Sequence, residues 1–259
     1  MTIDWDACHA AVWRPATKRL RPVQQIDPIN VDQLIGIDRQ KTALQTNTER
    51  FLTGLPANNA LLWGARGTGK SSLIKAMLNA YHPRGLRLIE VYKHELHNLP
   101  EIVDDIREHS CRFIIYCDDL SFEDNENSYV ALKTILEGSI EPPPENVLLY
   151  ATSNRRHLLP EYMADNLNTR LVDGELHHSD AVEERISLSD RFGLWLSFYP
   201  PDIDAYLHIV DSYFADYTGD RAQLHEAARD FARQRASHSG RTARQFYNHY
   251  SRSDVHPDH

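Results

Sequence analysis

One glycine-rich stretch constrains this chain more than anything else in it. "LLWGARGTGKSS", residues 61–72, sets Gly64, Gly69, Lys70 and Ser71 at the spacing G-x-x-x-x-G-K-[ST]. An apolar run, "NALLW" (59–63), precedes it, and an amphipathic run, "SSLIKAMLNAY" (71–81), follows. A strand, a side-chain-poor turn and a helix N-terminus make a cradle for phosphate. Glycines let backbone N–H groups approach the anion, and the helix directs its positive end at it. Gly64, Ala65, Arg66, Gly67, Thr68, Gly69, Lys70, Ser71 and Ser72 are therefore the expected nucleotide contacts. Within them Lys70 supplies a point charge to the phosphates, and the Ser71 hydroxyl is a ligand for Mg²⁺.

The surrounding pattern agrees with that reading. "IDRQKTALQTNTERFL" (37–52) is helical, with Ile37, Leu44 and Phe51 seven apart, and Gly54 and Pro56 end it. Strands are expected at 59–63, 86–91, 111–119, 146–154 and 194–199, with helices between them at 71–81, 100–110, 128–138 and 179–193. Five apolar strands alternating with helices predict an α/β fold with a parallel sheet covered on both faces. After Pro200 and Pro201 three helical stretches follow without a strand signal. The expected organisation is an N-terminal arm (1–25) outside the main fold, an α/β nucleotide-binding domain (26–199) and a small all-helical domain (200–259).

"RFIIYCDDL" places Asp118 and Asp119 at the carboxyl end of an apolar strand, the edge where ligands sit in open α/β sheets. Asp118 is the expected partner of Mg²⁺ together with Ser71, and Asp119 the residue facing an attacking water.

Composition excludes several alternatives. The 259 residues carry a formal charge of −9, and residues 95–145 alone hold thirteen acidic against three basic side chains. A uniformly basic nucleic-acid footprint is absent, so charge does not support binding to DNA or RNA. No run approaches the ~20 apolar residues of a membrane span. The N-terminal sequence lacks the pattern of a secretory signal, and three cysteines without Cys-x-x-Cys spacing suggest a reduced, cytoplasmic protein. Fourteen histidines form no zinc-binding pattern.

Taken together, these motifs resemble the AAA+ ATPase superfamily over about residues 26–251, closest to a group of bacterial AAA+ ATPases. The "RFG" segment echoes the Holliday-junction branch-migration motor. The resemblance implies a five-stranded sheet of order 5-1-4-3-2 followed by a helical lid, with ATP and Mg²⁺ as ligands and a homo-oligomer as the working state. It places Ile35 and Gly36 beside the adenine, and it makes "GARGTGKS" the Walker A loop and "FIIYCDD" Walker B. "LLYATSN" resembles the sensor 1 strand with Asn154 at its tip, and Arg191 of "LSDRFG" stands where the family carries an arginine finger. "SGRTARQF" resembles sensor 2, with Arg244 first and Arg241 in reserve.

One position departs from the family pattern. Asp119 stands where most members carry glutamate, a side chain longer by one methylene, so slow hydrolysis is expected unless Glu123 also reaches the water. Two readings stay open: an ATPase that remodels a macromolecule, and an ATP-controlled binding switch for a protein partner. A nucleic-acid remodeller is a third, carried by the resemblance and the arginines of 229–244 alone.

Overall fold

The computed structural model describes residues 3–120, 126–138, 140–154 and 189–253. Seven strands and seven α-helices are assigned among them. The chain opens with β1 (Ala10–Arg14) and β2 (Arg19–Pro22), followed by α1 (Asp38–Leu52), β3 (Ala60–Gly64) and α2 (Lys70–Tyr81). Next come β4 (Leu86–Glu90), α3 (Leu99–Ile106), β5 (Arg112–Cys117), α4 (Glu126–Glu137), β6 (Val147–Ser153) and β7 (Leu194–Phe198). Three helices close the chain: α5 (Ile203–Tyr213), α6 (Arg221–Gln234) and α7 (Gly240–Ser253).

The strands form one sheet in the order β2-β1-β4-β5-β6-β3-β7. All neighbours are parallel except β1 and β2. The five expected strands stand side by side in the expected succession, but the sheet has seven strands, not five. The two additional strands come from the segment expected to lie outside the fold. Ala10–Val12 pair with Leu88–Glu90, and Arg14 with Arg19 closes the hairpin. "RLRP" is short, basic and mostly exposed, so it has no strand signature of its own. Its pairing is a consequence of what lies beside it.

Strand alternation sends successive side chains to opposite faces. Leu61, Ile89, Phe113, Ile115, Leu149 and Ala151 meet α3 and α4 on one face. Ala60, Leu62, Leu86, Leu88, Ile114 and Tyr150 meet α1 and α2 on the other. The N-terminal segment completes the first core: Trp5 and Trp13 are buried in it, and Trp5 packs edge-on against Phe113 with ring centroids 4.9 Å apart. Arg87, only 5% exposed, ties that segment down by donating from Nε to the Trp5 carbonyl at 2.6 Å. The last three helices enclose a third core around Tyr206, Leu224, Phe231 and Phe246.

The helix expected at 179–193 lies outside the described residues up to 188, as does Glu123. No helix among the described residues is long and apolar enough to cross a membrane.

Candidate functional site

The loop between β3 and α2 uses its three glycines for three different reasons. Gly64 has φ 135, and a Cβ there would lie 1.9 Å from the Phe198 carbonyl oxygen, so it lets β3 pack against the end of β7. Gly67 (φ 76) leaves room for Ser239, whose side chain would stand 2.8 Å from an added Cβ. Gly69 (φ 96) is the residue from which α2 starts, beside Ile37. Each adopts left-handed backbone that other residues reach only with strain.

Lys70 is 7% exposed, and its ammonium donates to the carbonyls of Gly64 at 2.7 Å and Ala65 at 2.6 Å. A third, longer bond reaches Asn154 Oδ1 at 3.4 Å. Burial pushes the ammonium below the ordinary lysine range, while the carboxylates of Asp118 and Asp119 oppose that shift and the charges of Arg66 and Arg241 add to it.

The acidic pair joins the loop through hydrogen bonds that make a closed circuit. Ser71 donates to Asp118 Oδ1 at 2.8 Å, and Thr152 donates to the same oxygen at 2.5 Å. The Asp119 N–H donates to Thr152 Oγ1 at 3.0 Å. Asn154 Nδ2 donates to Asp119 Oδ1 at 2.5 Å, and the Lys70 bond to Asn154 completes the circuit. Thr152 was not singled out by its sequence. Its signal is weak: a buried hydroxyl near the carboxyl end of an otherwise apolar strand, two residues before Asn154.

Asp119 itself has φ 54, left-handed backbone that aspartate and asparagine tolerate better than most residues. This gives a local reason for the short side chain there.

The donor set fits a small hard cation. Ser71 Oγ and an Asp118 carboxylate oxygen converge at the N-terminus of α2, and Mg²⁺ commonly takes one or two such oxygens plus phosphate and water. No cluster of three or more His, Cys, Asp or Glu side chains able to hold a metal occurs among the described residues. A Mg²⁺ ion bound here would take a hydroxyl and one carboxylate from these two residues.

Two further acceptors lie on the same side of the sheet. Glu90, at the end of β4, stands across from Tyr116 in the β4–β5 register. Burial, then the charge of Asp118, raise the Glu90 carboxyl above its usual range, and Lys75, Arg14 and Arg21 pull it down. The Tyr116 side chain is 3% exposed, and its hydroxyl lies beside Ser71 and Asp118 without a well-formed hydrogen bond.

The C-terminal helices close over the loop. The Gly240 N–H donates to the Gly67 carbonyl at 3.1 Å, and Ser239 accepts from the Thr242 N–H at 3.2 Å, capping α7. Of the two sensor candidates, Arg241 is the one whose charge reaches Lys70, whereas Arg244 is exposed one turn further along α7. Gly36, next to Ile35, lies against the first turn of α5, where the Ala205 Cβ would be 3.7 Å from an added Cβ. Arg191 does not join the circuit: within the chain its guanidinium pairs with Glu137 at the end of α4.

A mostly parallel α/β sheet, a phosphate loop ahead of its second major helix, an acidic pair two strands away and a C-terminal helical bundle together define a P-loop-type α/β fold with an appended helical bundle. The chain belongs to the family described as "Protein of unknown function (DUF815)", whose profile matches residues 6–254. Among solved structures it is similar to mutants of RuvB from Thermotoga maritima. One is 13% identical with a TM-score of 0.52, over 85% of this chain and 72% of RuvB. A second is 13% identical with a TM-score of 0.51, over 87% and 73%. A third, also 13% identical at 0.51, covers 86% and 73%. At that identity the likeness is one of fold. No curated protein matches the chain.

Proposed function

We propose that this protein is a Mg²⁺-dependent ATP-binding AAA+ protein that hydrolyses ATP between subunits of a homo-oligomer. The resulting motion of the helical lid would remodel a macromolecule. The observation that carries the reading is the hydrogen-bonded circuit of Lys70, Ser71, Asp118, Thr152, Asp119 and Asn154, which brings the residues assigned here to phosphate, metal and water to one sheet edge.

In this reading Lys70 and the loop amides hold the phosphates, and Ser71 and Asp118 hold Mg²⁺. Bound there, Mg²⁺ supplies neutralisation of phosphate charge. Asp119 and Asn154 orient water for in-line attack, and Thr152 ties the Asp118 carboxylate to the Asp119 backbone. Arg191 leaves Glu137 to approach a neighbouring subunit's nucleotide, and a finger supplied in this way is worth about 10³-fold or more. Arg241, or Arg244, links the γ-phosphate to lid position, and the bond from Gly240 to Gly67 supports that coupling. Free Cys8, Cys111 and Cys117 support a cytoplasmic setting.

A second reading, an ATP-controlled switch with slow turnover, is favoured by Asp119: its carboxylate is short, already engaged by Asn154, and set on left-handed backbone. ATPase assays combined with sizing, with and without ATP, on wild type and Arg191→Ala test the first reading. Concentration-dependent specific activity that Arg191→Ala abolishes supports it. Flat activity per subunit across dilution, unchanged by the substitution, overturns it. Persistence of partner binding in Asp119→Asn, with turnover gone, selects the switch.

A further inference from the structure

The metal side of the site holds more polar chemistry than the two ligands use. Asp118 Oδ1 already accepts from Ser71 and Thr152. Beside it, Tyr116 carries a buried hydroxyl, on a side chain 3% exposed, that stands next to Ser71 and Asp118 without making a well-formed hydrogen bond. Such a hydroxyl calls for an explanation, because an unpaired buried hydroxyl costs about 1–3 kcal/mol. Glu90 lies across from Tyr116 in the parallel register. Strand alternation sends both to the α2 face: Tyr116 follows Ile114, and Glu90 follows Leu86 and Leu88, and Tyr116, Ile114, Leu86 and Leu88 share a core with Leu73 and Ile74. Ser71 and Asp118 lie on that face too. Positive charge from Lys75, Arg14 and Arg21 reaches Glu90, so the N-terminal hairpin also borders this corner.

Mg²⁺ dehydrates reluctantly and keeps several waters when bound by one or two protein oxygens. A water that has given its lone pair to a cation can only donate, so it needs acceptors around it. We propose that Glu90 and Tyr116 are positioning residues for the cation: the Glu90 carboxylate and the Tyr116 phenol oxygen accept hydrogen bonds from metal-bound water. This inference rests on the phosphate-loop reading above. It explains an acidic side chain and a poorly bonded hydroxyl that holding phosphate does not require. Outer partners of this kind typically change metal affinity by about 10- to 100-fold when removed.

The test is calorimetric titration of ADP and ATP into wild type, Glu90→Gln and Tyr116→Phe, each in excess EDTA and in Mg²⁺, with thermal melts as a fold control. Mn²⁺ replaces Mg²⁺ in a parallel series read by electron paramagnetic resonance of the bound ion. Both variants are expected to match wild type in EDTA, to lose about tenfold of the metal-dependent tightening, and to show altered Mn²⁺ spectra. Equal metal-dependent tightening in wild type and both variants overturns the inference. Half-buried Glu90 tolerates an isosteric amide, so Glu90→Gln carries the test even if Tyr116→Phe melts early. A wild type that binds neither nucleotide under either condition overturns the phosphate-loop reading and this inference with it. Wild-type binding with an unaltered Glu90→Gln overturns the inference alone.

Discussion

Gly240 donates its backbone N–H to the carbonyl of Gly67 at 3.1 Å, so the first residue of α7 is bonded to the middle of the phosphate loop. A side chain at Gly67 would strike Ser239 at 2.8 Å and would have to adopt φ 76. Gly67→Ala should therefore cost about 1–3 kcal/mol and separate α7 from the loop. Denaturant melts and nucleotide titration of this variant are the check. Unchanged stability would mean that the contact carries no weight.

Asp119 gives a prediction about side-chain length. At φ 54, Asp119→Asn keeps a residue suited to left-handed backbone, so the fold and nucleotide binding should persist while turnover vanishes. Asp119→Glu restores the longer carboxylate but should lower stability by about 1 kcal/mol. Comparison of kcat and Tm across the three proteins tests both statements.

Lys70 predicts a separation of binding from folding. Its ammonium bonds two loop carbonyls and is held below the ordinary lysine range by burial. Lys70→Ala should abolish nucleotide-induced thermal stabilisation, a shift that in wild type should approach about 2.7 kcal/mol at 100 times the Kd. A variant still stabilised by nucleotide would displace Lys70 from the phosphate role.

Tyr150 predicts alkaline instability. Its hydroxyl is buried against Asn47 and Thr48, both at 3.0 Å, and burial pushes it from 10.0 up to about 12. Between those values the unfolded chain has released this proton and the folded chain has kept it. Stability is therefore intact below pH 10 and falls as pH rises towards 12, by about 2–3 kcal/mol from this group. Tyr150→Phe should flatten the alkaline limb of stability against pH, measured by urea unfolding, even though it lowers stability at neutral pH.

Trp5 tests whether the N-terminal segment belongs to the main core. Buried against Phe113 and bonded through its carbonyl to Arg87, it should cost about 3–5 kcal/mol on substitution by alanine. A loss below about 1 kcal/mol would return that segment to the status of a loose arm.

Local pattern was enough for the phosphate loop and the central strands. Gly64, Gly69, Lys70 and Ser71 are diagnostic by spacing, and Ile114, Ile115 and Leu149 are apolar whichever neighbour they meet. The N-terminal strands were not legible, because β2 reads as polar and gains its place only by pairing with β1, which leans on β4. Thr152 was equally hidden: a threonine in a strand is unremarkable until a carboxylate from another strand arrives beside it.

What the sequence determined by itself was therefore the chemistry on offer and the strand–helix alternation, since glycine freedom and apolar periodicity act over a few neighbouring residues. The tertiary structure alone decided the β2–β1 edge of the sheet, the Thr152 bridge, the docking of Gly240 on Gly67 and the pairing of Arg191 with Glu137. Each of these joins groups far apart along the chain, and only the packing of the sheet and its helices brings them within reach of one another.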